Sequence, residues 1–132
     1  MPSTNNRNLT LTTTGANTTI NVTYNAVFSP LERHLASNGL VFQERISVIG
    51  VDPPGATTGT TLHNFAVQNL PVTAGAGSQT IARNRSITVT RASLQEDAGL
   101  GDDDEIRCKI VIRPIGLPSE ITDFTDQEIL VG

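Results

Sequence analysis

The feature that most constrains this chain is a two-residue alternation of apolar and short polar side chains. Leu9 and Leu11 alternate with Thr10 and Thr12, and after Gly15-Ala16-Asn17 the residues Ile20, Val22 and Tyr24 alternate with Thr19, Asn21, Thr23 and Asn25. A period of two places successive side chains on opposite faces of a strand, and β-branched residues pack well on a pleated surface with one dry and one wet face. Two strands with a short connection are expected, the second continuing inward-facing through Ala26 and Phe28.

Ser29-Pro30-Leu31-Glu32 reads as a helix start, with Ser29 as N-cap, Pro30 in the first helical position and Glu32 three residues after the cap. Leu31 and Leu35 share one face of this short helix, Asn38-Gly39 stops it, and its expected role is to bridge two sheets. The next strand runs from Leu40 to Val51, with Leu40, Phe42, Ile46 and Val48 in one parity. Glu44 interrupts that face, so a bend, bulge or sheet switch is expected near it, with Arg45 reaching a nearby carboxylate. Asp52-Pro53-Pro54-Gly55 ends the strand because proline cannot donate to a ladder. Thr57 to Thr61 reads as a loop or a weak edge strand, and Ala74-Gly75-Ala76-Gly77 as a connection. A strand opens at Ile81, runs toward Arg83 and Arg85, and is clearest over Ser86 to Thr90. The strongest strand is Asp104 to Arg113, with Ile106, Cys108, Ile110 and Ile112 on one face, and Ile129-Leu130-Val131 closes the chain as a last strand.

A chain of 132 residues is one domain's worth, so residues 1–132 are read as a single domain. About seven or eight strands with one short helix fit an all-β fold, two antiparallel sheets packed as a β-sandwich. With aromatic residues at 4% and no Trp, its core must be mostly aliphatic. Nine basic against 13 acidic side chains argue against a sequence-independent phosphate-binding surface, and the missing stacking platforms argue against single-stranded nucleic acid and against many kinds of sugar-binding face. No apolar run is long enough to span a bilayer, and the polar start Met1 to Arg7 lacks the apolar block of a secretory signal, so a cytoplasmic location is expected. A single cysteine leaves no intrachain disulfide and no Cys-based zinc site.

Leu94-Gln95-Glu96-Asp97-Ala98-Gly99, followed by Ile106-Arg107-Cys108, resembles the late strands of immunoglobulin-like sandwiches, where an Asp-Ala-Gly turn leads into a strand with an inward-facing cysteine. Here Leu100 to Glu105 lengthen the turn, Ile106 stands where that family usually has tyrosine, and no second cysteine exists. The resemblance implies an immunoglobulin-like sandwich with a binding or scaffolding role.

Glu96, Asp97, Asp102, Asp103, Asp104 and Glu105 gather carboxylates in one loop, which is either a solvated hairpin or a calcium site completed by backbone carbonyls. Asp123, Asp126 and Glu128 join that site if the C-terminus folds nearby, although the spacing is not that of an EF-hand. Cys108, among isoleucines, reads as a small buried hydrophobe. His34 and His63 are expected at the surface, away from Cys108 and from any serine, and no copper ligand set forms. Arg83, Arg85 and Arg91 form either a small basic stripe beside the acidic loop or part of a balanced polar face. The common hydrolase, phosphate-loop and dinucleotide motifs are missing, so no enzyme is expected. The expectation is a binding or structural module acting through protein–protein contacts or self-assembly at an edge strand, with Ile129-Leu130-Val131 one candidate edge. The alternative is a calcium-binding adhesion or recognition domain using loop 96–105.

Overall fold

Alternation in the first third of the chain produces a long hairpin, β1 (Ser3–Thr14) and β2 (Asn17–Phe28), turned at Gly15 with φ +61°. A computed structural model gives the arrangement of residues 2–51, 59–94, 104–116 and 121–130. Beyond the hairpin lie β3 (Phe42–Val51), β4 (Gly59–Asn64), the two-residue β5 (Gln68–Asn69), β6 (Gln79–Thr90), β7 (Asp104–Pro114), β8 (Ile121–Phe124) and β9 (Glu128–Leu130). One sheet is β1-β2-β6; the other is β4-β3-β7-β8, with β5 also on β3 and β9 also on β7. Every pairing is antiparallel, so the fold is an all-β sandwich of two sheets, with eight strands longer than two residues among the described ones.

The inward row of β2, from Thr18 through Ile20, Val22, Tyr24 and Ala26 to Phe28, is buried throughout, as are Ile106, Cys108, Ile110 and Ile112 of β7. Phe42, Ile46 and Val48 of β3 complete the facing layer. Both central strands are thus dry on one side only, which is what the alternation requires. The stretch read as loop or weak edge strand is the edge strand β4 from Gly59 onward, and residues 81–90 belong to the one strand β6.

The helix forms where the cap predicts it, α1 (Pro30–Ser37). Ser29 Oγ accepts from the Glu32 backbone N–H at 3.2 Å, and Glu32 Oε1 accepts from the Ser29 N–H at 2.7 Å. It carries the chain from the first sheet to the second, where Phe28 and Phe42 meet with tilted rings 4.9 Å apart. The shared face of Leu31 and Leu35 points outward, Leu31 being 66% exposed. Arg33 anchors the helix instead, its guanidinium donating to the carbonyls of Thr73, Ala74, Ala76 and Gly77 at 2.8 to 3.2 Å. A Cβ at Gly75 would lie 2.0 Å from Arg33 Nη2, so glycine is what lets this loop wrap the guanidinium.

Among the described residues no helix is long and apolar enough to cross a membrane. Replacing Ser29 by Ala removes one half of the capping box and is expected to lower stability by about 1 kcal/mol, read as a lower urea midpoint at unchanged slope.

Candidate functional site

Glu44 stands on the inward row of β3 between Phe42 and Ile46, in the parity that normally carries apolar residues. The bend, bulge or sheet switch expected near Glu44 is not at that residue: β3 pairs with β7 in unbroken register from Phe42 to Gly50, and its register shift lies against β4 at Val48/Ile49. The carboxylate is buried instead because the opposite sheet supplies its partners. Antiparallel register sets Tyr24 of β2 beside Arg83 of β6 and Val22 beside Arg85, so both arginines face the core. Arg83 donates from Nε to Glu44 Oε2 at 2.9 Å and from Nη2 to Oε1 at 3.2 Å. Arg85 Nη1 donates to Oε1 and the Tyr24 hydroxyl to Oε2. Glu44 has no exposed side-chain surface, and Arg83 and Arg85 keep only 14% and 11% of theirs.

Remaining donors are used as well: Arg83 Nη2 reaches Gln68 Oε1 at 2.6 Å, Arg85 Nη2 reaches the Ala66 carbonyl at 2.8 Å, and the Arg85 guanidinium lies 5.9 Å from the Phe65 ring centre. Arg83 and Arg85, expected either in a basic stripe or on a balanced polar face, instead form an internal ion network with Glu44. Arg45, expected to find a carboxylate, turns outward and donates to Gln43 Oε1.

Burial by itself raises the Glu44 carboxyl, but hydrogen bonds from Arg83 and Tyr24 and the charges of both arginines outweigh it and hold the group below the usual carboxylate range. Burial, then the hydrogen bond to Glu44 and its charge, push the Tyr24 phenol well above its ordinary range. Glu44 stays ionised and Tyr24 stays protonated at neutral pH, with the carboxylate's acceptor sites filled. Such a centre has no open position for acid–base work; it holds β6 against the other sheet.

The two edges of the first sheet differ. The first half of β1 is covered by the segment around β8 and β9: Asp126 Oδ1 accepts from the Leu9 N–H at 2.8 Å, Arg7 Nε donates to the Phe124 carbonyl at 3.0 Å, and Thr4 Oγ1 donates to Asp123 Oδ2 at 2.5 Å. β6 pairs with β2 over all twelve residues and has no second strand among the described residues. Its inward Ile81, Ile87 and Val89 are accordingly only half-buried.

Of the carboxylates expected to gather in the acidic loop, Glu96, Asp97, Asp102 and Asp103 lie outside the described residues, as does the Asp97-Ala98-Gly99 turn. Asp104 opens β7 opposite Leu130, and Glu105 is half-buried opposite Ile129, which puts β9 on β7 beside the loop's end. Glu128 sits opposite Ile106, and its carboxyl is raised by partial burial and by a hydrogen bond to Asp126 and that residue's negative charge. Asp123 and Asp126 are spent on β1. Among the described residues no cluster of three His, Cys, Asp or Glu is placed to hold a metal ion.

Cys108 is buried in the core row of β7, where burial and, secondarily, Asp126 push its thiol up to about 12. His34 is exposed on α1. His63 departs from expectation, because its Nε2 lies 2.8 Å from Ser93 Oγ, thirty residues away. Ser93 Oγ donates to the Thr90 carbonyl at 2.6 Å, so in this arrangement the imidazole N–H donates to the serine. A nucleophile requires the opposite polarity; the pair latches β4 to the single 3-10 turn Arg91–Leu94 that follows β6. No family model, curated protein or solved structure matches the chain.

A depressed Glu44 contributes stability that is complete above its unfolded value, about pH 4.3, and lost as pH falls through the lower folded value. A raised Tyr24 contributes stability that is complete below about pH 10 and lost as pH rises toward its folded value. Glu44→Gln leaves two buried guanidiniums without an anion and is expected to cost about 3–5 kcal/mol in urea melts at pH 7, with a correspondingly flatter loss of stability into acid than the parent protein. Cys108 is expected to resist a thiol-specific disulfide reagent at pH 8 in the folded protein and to react at once in denaturant, so rapid native reaction would contradict its placement.

Proposed function

We propose that this protein is a non-enzymatic binding or structural module of immunoglobulin-like architecture that associates with other protein chains by strand addition at β6. The observation that carries this reading is the twelve-residue β6, unpaired on its outer side among the described residues, while the opposite edge strand β1 is covered over residues 4–9 by contacts from the segment around β8 and β9. An edge of free N–H and C=O groups flanked by half-buried Ile81, Ile87 and Val89 offers both the hydrogen-bonding ladder and the apolar contact that strand addition uses. Strand order supports the immunoglobulin-like part. The sequence-order pairings β1-β2-β6 and β3-β7-β8 correspond to the A-B-E and C-F-G neighbours of that architecture, and Cys108 falls in the F position. Among the described residues the fourth strand that flanks E in constant-type domains has no counterpart on β6, since β5 pairs with β3.

The partner best supported by β6 itself is a second copy. In an antiparallel two-fold register centred on Ser86, Arg85 faces the copy's Ile87 and Arg83 its Val89, so no arginine opposes an arginine. Asn84 meets Thr88 and Ser86 meets itself on the outer face, without charge.

Sedimentation between micromolar and millimolar protein is expected to show a reversible monomer–dimer equilibrium. Ser86→Lys places two like charges opposite each other and is expected to abolish the dimer, while Thr12→Lys, on the same face of β1, leaves it intact. A parent protein that is monomeric throughout, or a Ser86→Lys variant that dimerises as well as the parent, would overturn the proposal.

A further inference from the structure

The outer face of the first sheet carries a feature independent of the β6 edge. In the outward rows of β1, β2 and β6 every residue except Val27 and Ala82 is Ser, Thr or Asn, and none is charged. Asn8, Thr23 and Asn84 lie in one cross-strand row, and Asn25 and Ala82 share the next. Between these rows and the β1 irregularity at Asn5/Asn8 lies a shallow cavity of about 370 Å³, lined by Asn6, Asn8, Thr23, Asn25, Ala82 and Asn84 among others. That volume lies within the roughly 300–1,000 Å³ of small-ligand sites.

We infer that this cavity is a binding site for a neutral, hydroxyl-rich ligand, a carbohydrate residue held by asparagine amides. Three observations converge on it. The register shift lifts Asn6 out of the ladder, and Asn6 is the one non-glycine among the described residues with positive φ, +52°. Bulges of this kind re-aim a side chain, and asparagine tolerates the left-handed conformation better than other residues. Ala82 interrupts the polar row of β6 and keeps the floor low beside Asn25. Among the described residues the side chains of Asn6, Thr23, Asn25 and Asn84 make no hydrogen bond, and Asn8 makes only a 3.5 Å contact to the Asn6 carbonyl.

Each amide therefore offers a carbonyl acceptor and an NH₂ donor side by side, which matches neighbouring hydroxyls that both donate and accept. Among the described residues no carboxylate lines the cavity to hold a cation. Arg83, which borders it, has its guanidinium engaged by Glu44 and Gln68, so an anion gains no free charge there. With no Trp in the chain and the Tyr24 hydroxyl turned to Glu44, hydrogen bonding rather than ring stacking supplies the affinity. A few neutral hydrogen bonds of that kind correspond to a dissociation constant on the order of 1 mM.

The test is a titration of the isotope-labelled protein, followed by amide chemical shifts, with maltose, cellobiose, lactose and N,N′-diacetylchitobiose in turn. Saturable shifts confined to residues 6–8, 23–25 and 82–84 are expected with at least one of them. Asn25→Ala and Asn84→Ala are each expected to weaken that sugar about tenfold, whereas Thr12→Ala, on the same face away from the cavity, leaves it unchanged. All three substitutions are at outward-facing positions, and the unperturbed spectrum of each variant verifies its fold. Absence of saturable shifts with all four sugars, shifts elsewhere on the surface, or equal binding by the parent and both asparagine variants would overturn the assignment.

Discussion

One carboxylate with no access to solvent ties the two sheets of this protein together. Glu44 comes from the second sheet, and the arginines and tyrosine that make its burial tolerable come from the first. A charge in that position is costly unless its hydrogen bonds are made, so the network admits very few arrangements of β6 over β3. Slipping β6 by one residue against β2 would turn Arg83 and Arg85 to solvent and leave Glu44 buried and unpaired. The aliphatic rows of β2, β3 and β7 supply the general driving force for the sandwich. The ion network specifies which way β6 sits in it.

That constraint shapes the outside of the molecule. β6 is held by its full ladder with β2 and by its inward arginines, and the segment between β4 and β6 pairs with β3 through β5. Gln68 and Ala66 in that segment close the network from the second sheet. Meanwhile β1 has no comparable inward anchor in its first half, and there the side chains of Asp123 and Asp126 hold its edge. Among the described residues the edge of β6 is thus bare while the first half of β1 is covered by charged side chains of the β8–β9 segment.

The outer face of the same sheet shows the opposite chemistry. It is nearly all short polar side chains without charge, and Thr19 and Thr88 touch across it at 3.0 Å. Threonine serves both purposes there, since its branched Cβ suits the strand and its hydroxyl keeps the face wet. The same composition that makes the strands leaves an array of donors and acceptors whose local use depends on the irregularity at Asn6.

Much of this was legible in the sequence. Local rules were enough for the strands, whose period is a property of neighbouring residues, and for α1, whose cap is built from Ser29 and Glu32 three positions apart. The inward parity of Glu44, Arg83 and Arg85 was also present in the pattern, as polar residues in otherwise apolar rows, and three such interruptions in one core were the available signal that they meet. Their pairing was not readable, because Glu44 and Arg83 are thirty-nine residues apart, and only the register of β6 on β2 and the packing of the sheets bring them together. The outward turn of Leu31 and the contact of His63 with Ser93 belong to the same category. Sequence alone determined what each segment would become, since a strand or a cap depends on side chains within a few residues. Tertiary structure decided which charges were neutralised, which edge stayed open and where the polar face was indented, since each depends on distances between segments that the local pattern does not encode.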